Sequence, residues 1–472
     1  MNNRILFVEP AKMYFIDKNG KPLAPIRQNV SLPALTILGS LKSDGFDVYF
    51  MDLTAEGYEI RTPINNYVYR CGLPDDAVVQ RINDIKPLAL LVTSMFSAEQ
   101  HVVDNLAAKV KRAYPKLPII VGGIHATIKP EWVLESGNVD FVILGEGEEI
   151  ISKILRQIQS GKPPLNKVIG PNPLLKNLDR KWAFDEVLLK NRNYRYVEEA
   201  SRRSKLYSHL TLPNWTRSFS LYYSRGCPMH CDYCATSERA GFVIRHAGSK
   251  RMFNDLKLLH EKYGVRVFYN QADTFGYHHE DIKFLKLVKY YRKRHRDFVL
   301  NNPNAFFVRM FFKSENYILD ESLINLLADS GFNVITIAVE TFNQRFNKKI
   351  NFDKITPEKI RSLFQTIHER GMKTELYMIY AFPTQTLDEL LSDEMIVGTI
   401  PCIDEVAWQS CMILPGTEYY RRGMAERLFT EKSYRKTLKE GHFFYHLPKS
   451  FNFTNIPQKE LERFRVKHNA NF

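Results

Sequence analysis

Ser224-Arg225-Gly226-Cys227-Pro228-Met229-His230-Cys231-Asp232-Tyr233-Cys234 is the stretch on which the reading of this chain turns. It holds three of the six cysteines, Cys227, Cys231 and Cys234, in the spacing C-x-x-x-C-x-x-C. Thiolates are soft ligands favoured by iron and zinc, so three of them this close together signal a metal site. Iron–sulfur clusters are usually held by four cysteines. Three leave one iron open, and an open coordination position separates a catalytic metal from a structural one. The alternatives are zinc, with His230 or a distant residue as fourth ligand, and plain core cysteines. Cys71, Cys402 and Cys411 are scattered and offer no second close pair.

Around this loop, strand-like runs alternate with helical ones. The expected strands are 219–223, which delivers the cysteines, then 265–270, a third near 306–312 that includes Arg309, then 334–339, 374–380 and 405–413. Between them, Ile360, Leu363, Phe364 and Ile367 fall on one helical face, opened by Thr356-Pro357 and closed by Gly371. Leu323, Leu326 and Leu327 do the same before Gly331, and Thr386 with Glu389 spells a capping box. Six such repeats over residues 218–425 predict a partial (β/α)6 TIM-like barrel, whose chemistry gathers at the carboxyl ends of its strands. Asp273 and Glu340 stand at two of those ends.

Residues 1–165 read as a separate α/β domain. Nearly continuous apolar strands at 4–10, 47–51, 88–93, 118–121 and 139–144 alternate with helices at 31–41 and 98–114, the pattern of a doubly wound parallel sheet of Rossmann-like type. Ligands of such sheets sit beyond the carboxyl ends of the strands. Those ends carry Asp52, Thr54 and Gly57, then Gly122, Gly123 and His125, then Gly145 and Glu146. Glycines there are expected to let the backbone approach a large ligand. Pro163, Pro164, Pro171 and Pro173 mark the exit into a connector, 166–217, rich in Arg, Lys and aromatic residues and read as an interdomain strap. The C-terminal extension, 426–472, carries the aromatic run His442-Phe443-Phe444-Tyr445-His446, read as a packing lid or a cap on the barrel.

Taken together, the cysteine loop, the six repeats and the preceding sheet resemble the cobalamin-dependent radical S-adenosylmethionine (radical SAM) enzymes. The resemblance implies a [4Fe-4S] cluster on Cys227, Cys231 and Cys234, S-adenosylmethionine on the open iron, and cobalamin on the first domain. It implies cofactor contacts from Asp273 and Glu340, with Arg309 neutralising the cofactor's carboxylate or pairing with Glu340, and Tyr233 shielding the cluster. In the first domain it implies cobalamin contacts from Asp52, Thr54, Gly57, Gly122, Gly123, His125, Gly145 and Glu146. Some relatives carry D-x-H-x-x-G, whose histidine binds cobalt. Here Thr54 stands in the histidine's place, so no lower ligand is expected from that position, and His125 reads as a hydrogen-bonded loop histidine. The implied reaction is methylation of an unactivated carbon, or of phosphorus, through a 5′-deoxyadenosyl radical and methylcobalamin, with oxidative cyclisation or ring rearrangement as the alternative.

Composition narrows the setting. The 472 residues, 44% hydrophobic and 25% charged, are ordinary for a globular protein of two or three domains. Residues 1–4 run straight into a strand-like segment without a signal peptide's pattern, and no apolar run approaches a membrane span, so a cytoplasmic location with reduced thiols is expected. A net charge of +14 attracts anions. Spread along the chain, the basic residues read as a solvated surface, with an anionic small-molecule substrate as the further implication; a zinc-stabilised nucleic-acid-binding module is the reading from a different class. The remaining partner implied is an electron donor such as flavodoxin or ferredoxin.

Overall fold

The strand-forming runs set out above assemble into two parallel sheet systems in a computed structural model that describes residues 2–15, 30–66, 68–180, 182–189, 217–313, 316–347, 354–439 and 451–468. The aromatic run at 442–446 and the basic connector from 190 to 216 lie outside the described residues. The chain divides into two compact units: Met1–Tyr194 with Glu238–Gly241 and Met424–Gly441, and the remainder. Among the described residues no helix is long and apolar enough to cross a membrane.

The first unit contains β1 (Arg4–Glu9), β2 (Lys12–Phe15), β3 (Asp47–Asp52), β4 (Arg61–Pro63), β5 (Val68–Cys71), β6 (Ala89–Thr93), β7 (Ile119–Gly122), β8 (Phe141–Ile143) and β9 (Val168–Ile169). Six of them form one parallel sheet in the order β3-β1-β6-β7-β8-β9. Its strands are apolar on both faces because helices cover both, and Ile5, Leu6, Val8, Ala89 and Leu90 are fully buried. The strand order reverses direction between β1 and β6, which makes the carboxyl ends of those strands the topological switch point. Ser31 caps the helix Leu32–Ser43 by accepting the Ala34 N–H at 3.3 Å, with a proline in the first turn. A second, antiparallel sheet, β2-β5-β4, went unforeseen because its strands are short, polar and interrupted.

The second unit contains β10 (Arg217–Leu221), β11 (Ser224–Arg225), β12 (Arg245–His246), β13 (Val265–Asn270), β14 (Val299–Asn301), β15 (Phe306–Phe307), β16 (Phe312–Lys313), β17 (Ile318–Leu319), β18 (Val334–Glu340), β19 (Lys373–Tyr380) and β20 (Glu405–Ser410). The barrel wall consists of two parallel sheets, β10-β13-β14 and β15-β18-β19-β20, joined at a Leu300–Phe332 bridge. The expected third strand is therefore corrected. It is split, with β14 pairing β13 and the two-residue β15 pairing β18. Between the halves lie Pro303, which has no N–H to donate, and Ala305, whose φ of +64° breaks the extended backbone. Arg309 is not in a strand; it sits in the 3-10 turn Val308–Phe311.

Helix signals fared better. Thr356 caps Pro357–Glu369, Thr386 and Glu389 form the expected capping box on Leu387–Gly398, and Gly331 closes Glu321–Ser330 at φ +95°. The buried face of that last helix is Leu323, Ile324 and Leu327, with Leu326 only half-buried.

Candidate active site

The strand β10 ends, β11 follows, and the cysteine loop leaves its end. Two backbone-level ties hold the start of the loop. Asp273, just past β13, accepts the Gly226 N–H at 2.9 Å, and the Ser224 hydroxyl donates to the Thr274 carbonyl at 2.7 Å. The next helix, His279–Arg292, is capped not by Asp273 but by His278 and Asp281, which form a capping box. Asp281 also holds His246 of β12 at 2.6 Å, and β12 is the hairpin partner of β11. The cysteine loop is thus braced from two sides of one strand end.

Within the loop, Cys227 is buried while Cys231 and Cys234 are half-buried, and no disulfide joins any of the six cysteines. His230 does not turn toward the sulfurs as a fourth ligand; its ring stacks on Phe242 at 4.2 Å and 19°. Among the described residues no three His, Cys, Asp or Glu side chains are drawn into a closed metal cage. One short loop carrying three cysteines outside any disulfide fits a group that brings its own sulfide and needs three protein ligands. Tyr233 packs edge-on against Phe382 at 6.0 Å. Burial, then the Glu340 carboxylate and the Cys231 and Cys234 sulfurs, push its hydroxyl far above the usual tyrosine range.

Glu340 ends β18 at a register shift with a left-handed φ of +69°, and Ala381 repeats that conformation, at +62°, just past β19. Non-glycine residues held there cost of order 1–3 kcal/mol and cluster at functional sites. Burial raises the Glu340 carboxyl to about 7. The expected ion pair with Arg309 is absent among the described contacts of Glu340. Instead Arg309 lies 4.3 Å over the Tyr317 ring and donates to the Phe312 carbonyl, because the 3-10 turn carries it away from the strand.

Sequence reasoning missed three asparagines. Asn270 ends β13, Asn301 ends β14 and Asn302 follows it, and each is at most 7% exposed. The Asn270 Nδ2, both amide atoms of Asn301 and the Asn302 Oδ1 have no hydrogen-bond partner. Buried polar atoms are nearly always paired, so orphans at strand ends mark places where a polar ligand fits. The available signal was an amide residue closing each strand, obscured by placing strand three too late.

In the first unit the same orphan pattern appears at the ends of β6 and β7. Thr93 Oγ1, Ser94 Oγ and His125 Nε2 are buried without partners. A Cβ on Gly122 would meet nothing within 4 Å, and one on Gly145 only the Asn172 carbonyl at 4.0 Å. Open glycines beside unpaired polar atoms at a switch point fit a large polar cofactor. The other two glycines are corrected, since what approaches them is the protein's own backbone. A Cβ on Gly57 would lie 2.3 Å from the Leu73 nitrogen, and one on Gly123 2.5 Å from the Ser94 carbonyl.

The remaining expected contacts are committed to the fold. Asp52 caps the helix Leu53–Glu56, Thr54 accepts the Lys12 N–H and donates to the Cys71 carbonyl, and Glu146 accepts the Leu175 N–H. His125 is not in a loop; it lies in the short helix Ile124–Ile128, with Nδ1 2.8 Å from the Ser97 hydroxyl. Burial, aided by the nearby Lys129 and Arg435 charges, lowers its pKa to about 4.

Residues 29–155 match the B12 binding domain, and residues 221–393 match the Radical SAM superfamily. The chain belongs to the cobalamin-dependent radical SAM enzymes. Its cofactors are accordingly a [4Fe-4S] cluster, S-adenosylmethionine and cobalamin. Among similar proteins, a cytidylyl-2-hydroxyethylphosphonate methyltransferase from Streptomyces wedmorensis is 23% identical over 442 residues, covering 86% of this chain and 80% of that protein. An anaerobic magnesium-protoporphyrin IX monomethyl ester cyclase from Synechocystis sp. is 27% identical over 267 residues, covering 53% of this chain and 46% of the cyclase. The fold is shared with the radical SAM methyltransferase TsrM from Kitasatospora setae, solved with tryptophan and a SAM analogue, at TM-score 0.66 and 14% identity over 90% of this chain and 76% of TsrM.

Proposed function

We propose that this radical SAM enzyme is a methyltransferase that adds a methyl group to an unactivated carbon, or to phosphorus, of a small-molecule substrate. The carrying observation is the long match to a methyltransferase, which runs through both the cobalamin domain and the barrel. When bound, the cluster and SAM supply a 5′-deoxyadenosyl radical and cobalamin supplies the methyl group.

The chain's own residues position and shield. Cys227, Cys231 and Cys234 would hold three irons, with Asp273 fixing the loop through Gly226. Tyr233 and Phe382 exclude water beside it, which matters because a carbon radical must be kept from side reactions. Glu340, protonated for part of the time near neutral pH, is suited to hydrogen-bond a ribose hydroxyl of the cofactor. Asn270, Asn301 and Asn302 offer uncharged donors and acceptors to the polar groups of cofactor or substrate. Gly122, Gly145, Thr93 and Ser94 would line the cobalamin crevice.

The excess of basic residues supports an anionic substrate, and the need for a one-electron reductant supports flavodoxin or ferredoxin in a cytoplasmic setting. A second reading, oxidative cyclisation, is favoured by the cyclase match alone. Anaerobic protein supplied with cobalamin, reductant, methyl-deuterated SAM and a metabolite extract should yield 5′-deoxyadenosine and a labelled, methylated small molecule. Formation of 5′-deoxyadenosine with loss of hydrogen from a metabolite, and no labelled product, would overturn methyl transfer in favour of cyclisation.

A further inference from the structure

The helix Glu431–Lys439 belongs to the first unit although 299 residues separate Glu431 in sequence from Trp132, which it meets. Its contacts converge on one place. Glu431 accepts the Trp132 indole N–H at 2.6 Å and faces the Lys129 ammonium at 3.4 Å. The Arg435 guanidinium lies 4.9 Å over the Trp132 ring and pairs with Glu135. Tyr434, fully buried, packs 6.5 Å from Trp132 between it and Phe429. Trp132 is itself 2% exposed, and its other neighbour is His125, at 5.6 Å between ring centroids.

His125 is therefore held on two sides. Ser97 holds Nδ1, the Trp132 ring packs against the imidazole at a 57° tilt, and Nε2 is left buried with no partner among the described residues. A buried group left without a hydrogen bond is destabilising, and a ligand offering the missing partner recovers that loss. The periphery of a corrinoid carries carboxamides, which offer both donors and acceptors, so either tautomer of His125 finds a match. We propose that His125 hydrogen-bonds bound cobalamin through Nε2, and that the helix Glu431–Lys439 positions it by clamping Trp132. Glu431 is thus a positioning residue that never touches the cofactor. This inference rests on the cobalamin reading of the first unit.

The test is the dissociation constant for hydroxocobalamin, read on the full chain by quenching of tryptophan fluorescence and by the absorption spectrum of the bound corrinoid. His125→Phe should weaken binding roughly ten-fold, the equivalent of about 1.4 kcal/mol, and His125→Gln should recover part of it. Glu431→Ala should weaken binding several-fold without changing iron content, and Glu431→Gln, which still accepts the indole N–H, should recover most of the loss. Far-ultraviolet circular dichroism identifies variants that fail to fold, and the two glutamine variants keep the test alive if the others do. Wild-type affinity in the folded His125 or Glu431→Ala variants would overturn the proposal. Wild-type protein that takes up no corrinoid would overturn the cobalamin reading itself.

Discussion

The Asp273 carboxylate and the Gly226 backbone are joined across 47 residues by a 2.9 Å hydrogen bond at the root of the cysteine loop. A bond to an ionised acceptor contributes about 1.5–3 kcal/mol. Asp273→Ala should therefore reduce cluster incorporation and cut 5′-deoxyadenosine formation by at least ten-fold, while Asp273→Asn, which keeps an acceptor, stays within a few-fold of wild type. Iron and sulfide content per chain, measured beside the rate of SAM cleavage, check this. Equal iron content and equal rate in Asp273→Ala would remove the loop-fixing role.

The six cysteines divide into two sets of three. Serine at Cys227, Cys231 or Cys234 should abolish the brown colour of anaerobically purified protein. Serine at Cys402 or alanine at Cys411 should leave iron content unchanged, because neither lies on the loop. Colourless wild-type protein containing zinc would contradict the cluster assignment outright.

Glu9, at the end of β1, is buried, and its carboxyl rises to about 7. Burial is the main cause, with Asp52 and Glu99 adding to it and Lys12 and Ser31 opposing. The folded chain therefore holds a proton on Glu9 at pH values where the unfolded chain, with an ordinary value near 4.5, has lost it. Stability falls as pH rises from about 4.5 to 7, and the full penalty persists above 7. Glu9→Gln keeps an acceptor for the Ser31 hydroxyl and removes the titration. Its melting temperature should exceed wild type above pH 7, by the equivalent of about 1–3 kcal/mol, and converge with it near pH 4.5. A pH-independent difference would assign the effect to packing instead.

Gly57 and Gly122 make opposite demands. Alanine at Gly57 must displace the Leu73 backbone and should destabilise the first unit by about 2 kcal/mol or more. Alanine at Gly122 meets no protein atom, so its melting temperature should match wild type while its affinity for cobalamin falls. Thermal melts and cobalamin titrations of the two variants separate a turn required by the chain from a surface kept clear for a ligand.

Much of this architecture was legible because parallel strands buried on both faces are written as apolar runs, and β13 spans the expected 265–270. Helix ends were legible for the same reason of local chemistry, as at Thr356 and Gly331. Three things were not. The third strand was expected on the aromatic run near 306–312, whereas its first half is the short, non-aromatic Val299–Asn301 that precedes Pro303. Asp273 ties down the loop through the Gly226 backbone N–H, and Thr54 bonds two backbone groups, which no side-chain pattern announces. The support of His125 by Glu431 through Trp132 depends on a helix distant in sequence, and only folding brings it there.

The split between β14 and β15 has a mechanical meaning. A wall whose halves meet at the Leu300–Phe332 bridge has a seam, not a continuous ladder, and a seam parts at lower energy than a strand pair. Amide protons of Asn301 to Phe307 should exchange with solvent sooner than those of β18 and β19. Asn301 and Asn302, with their unpaired amide atoms, stand on the lip of that seam, so a polar ligand bound there would stitch it shut.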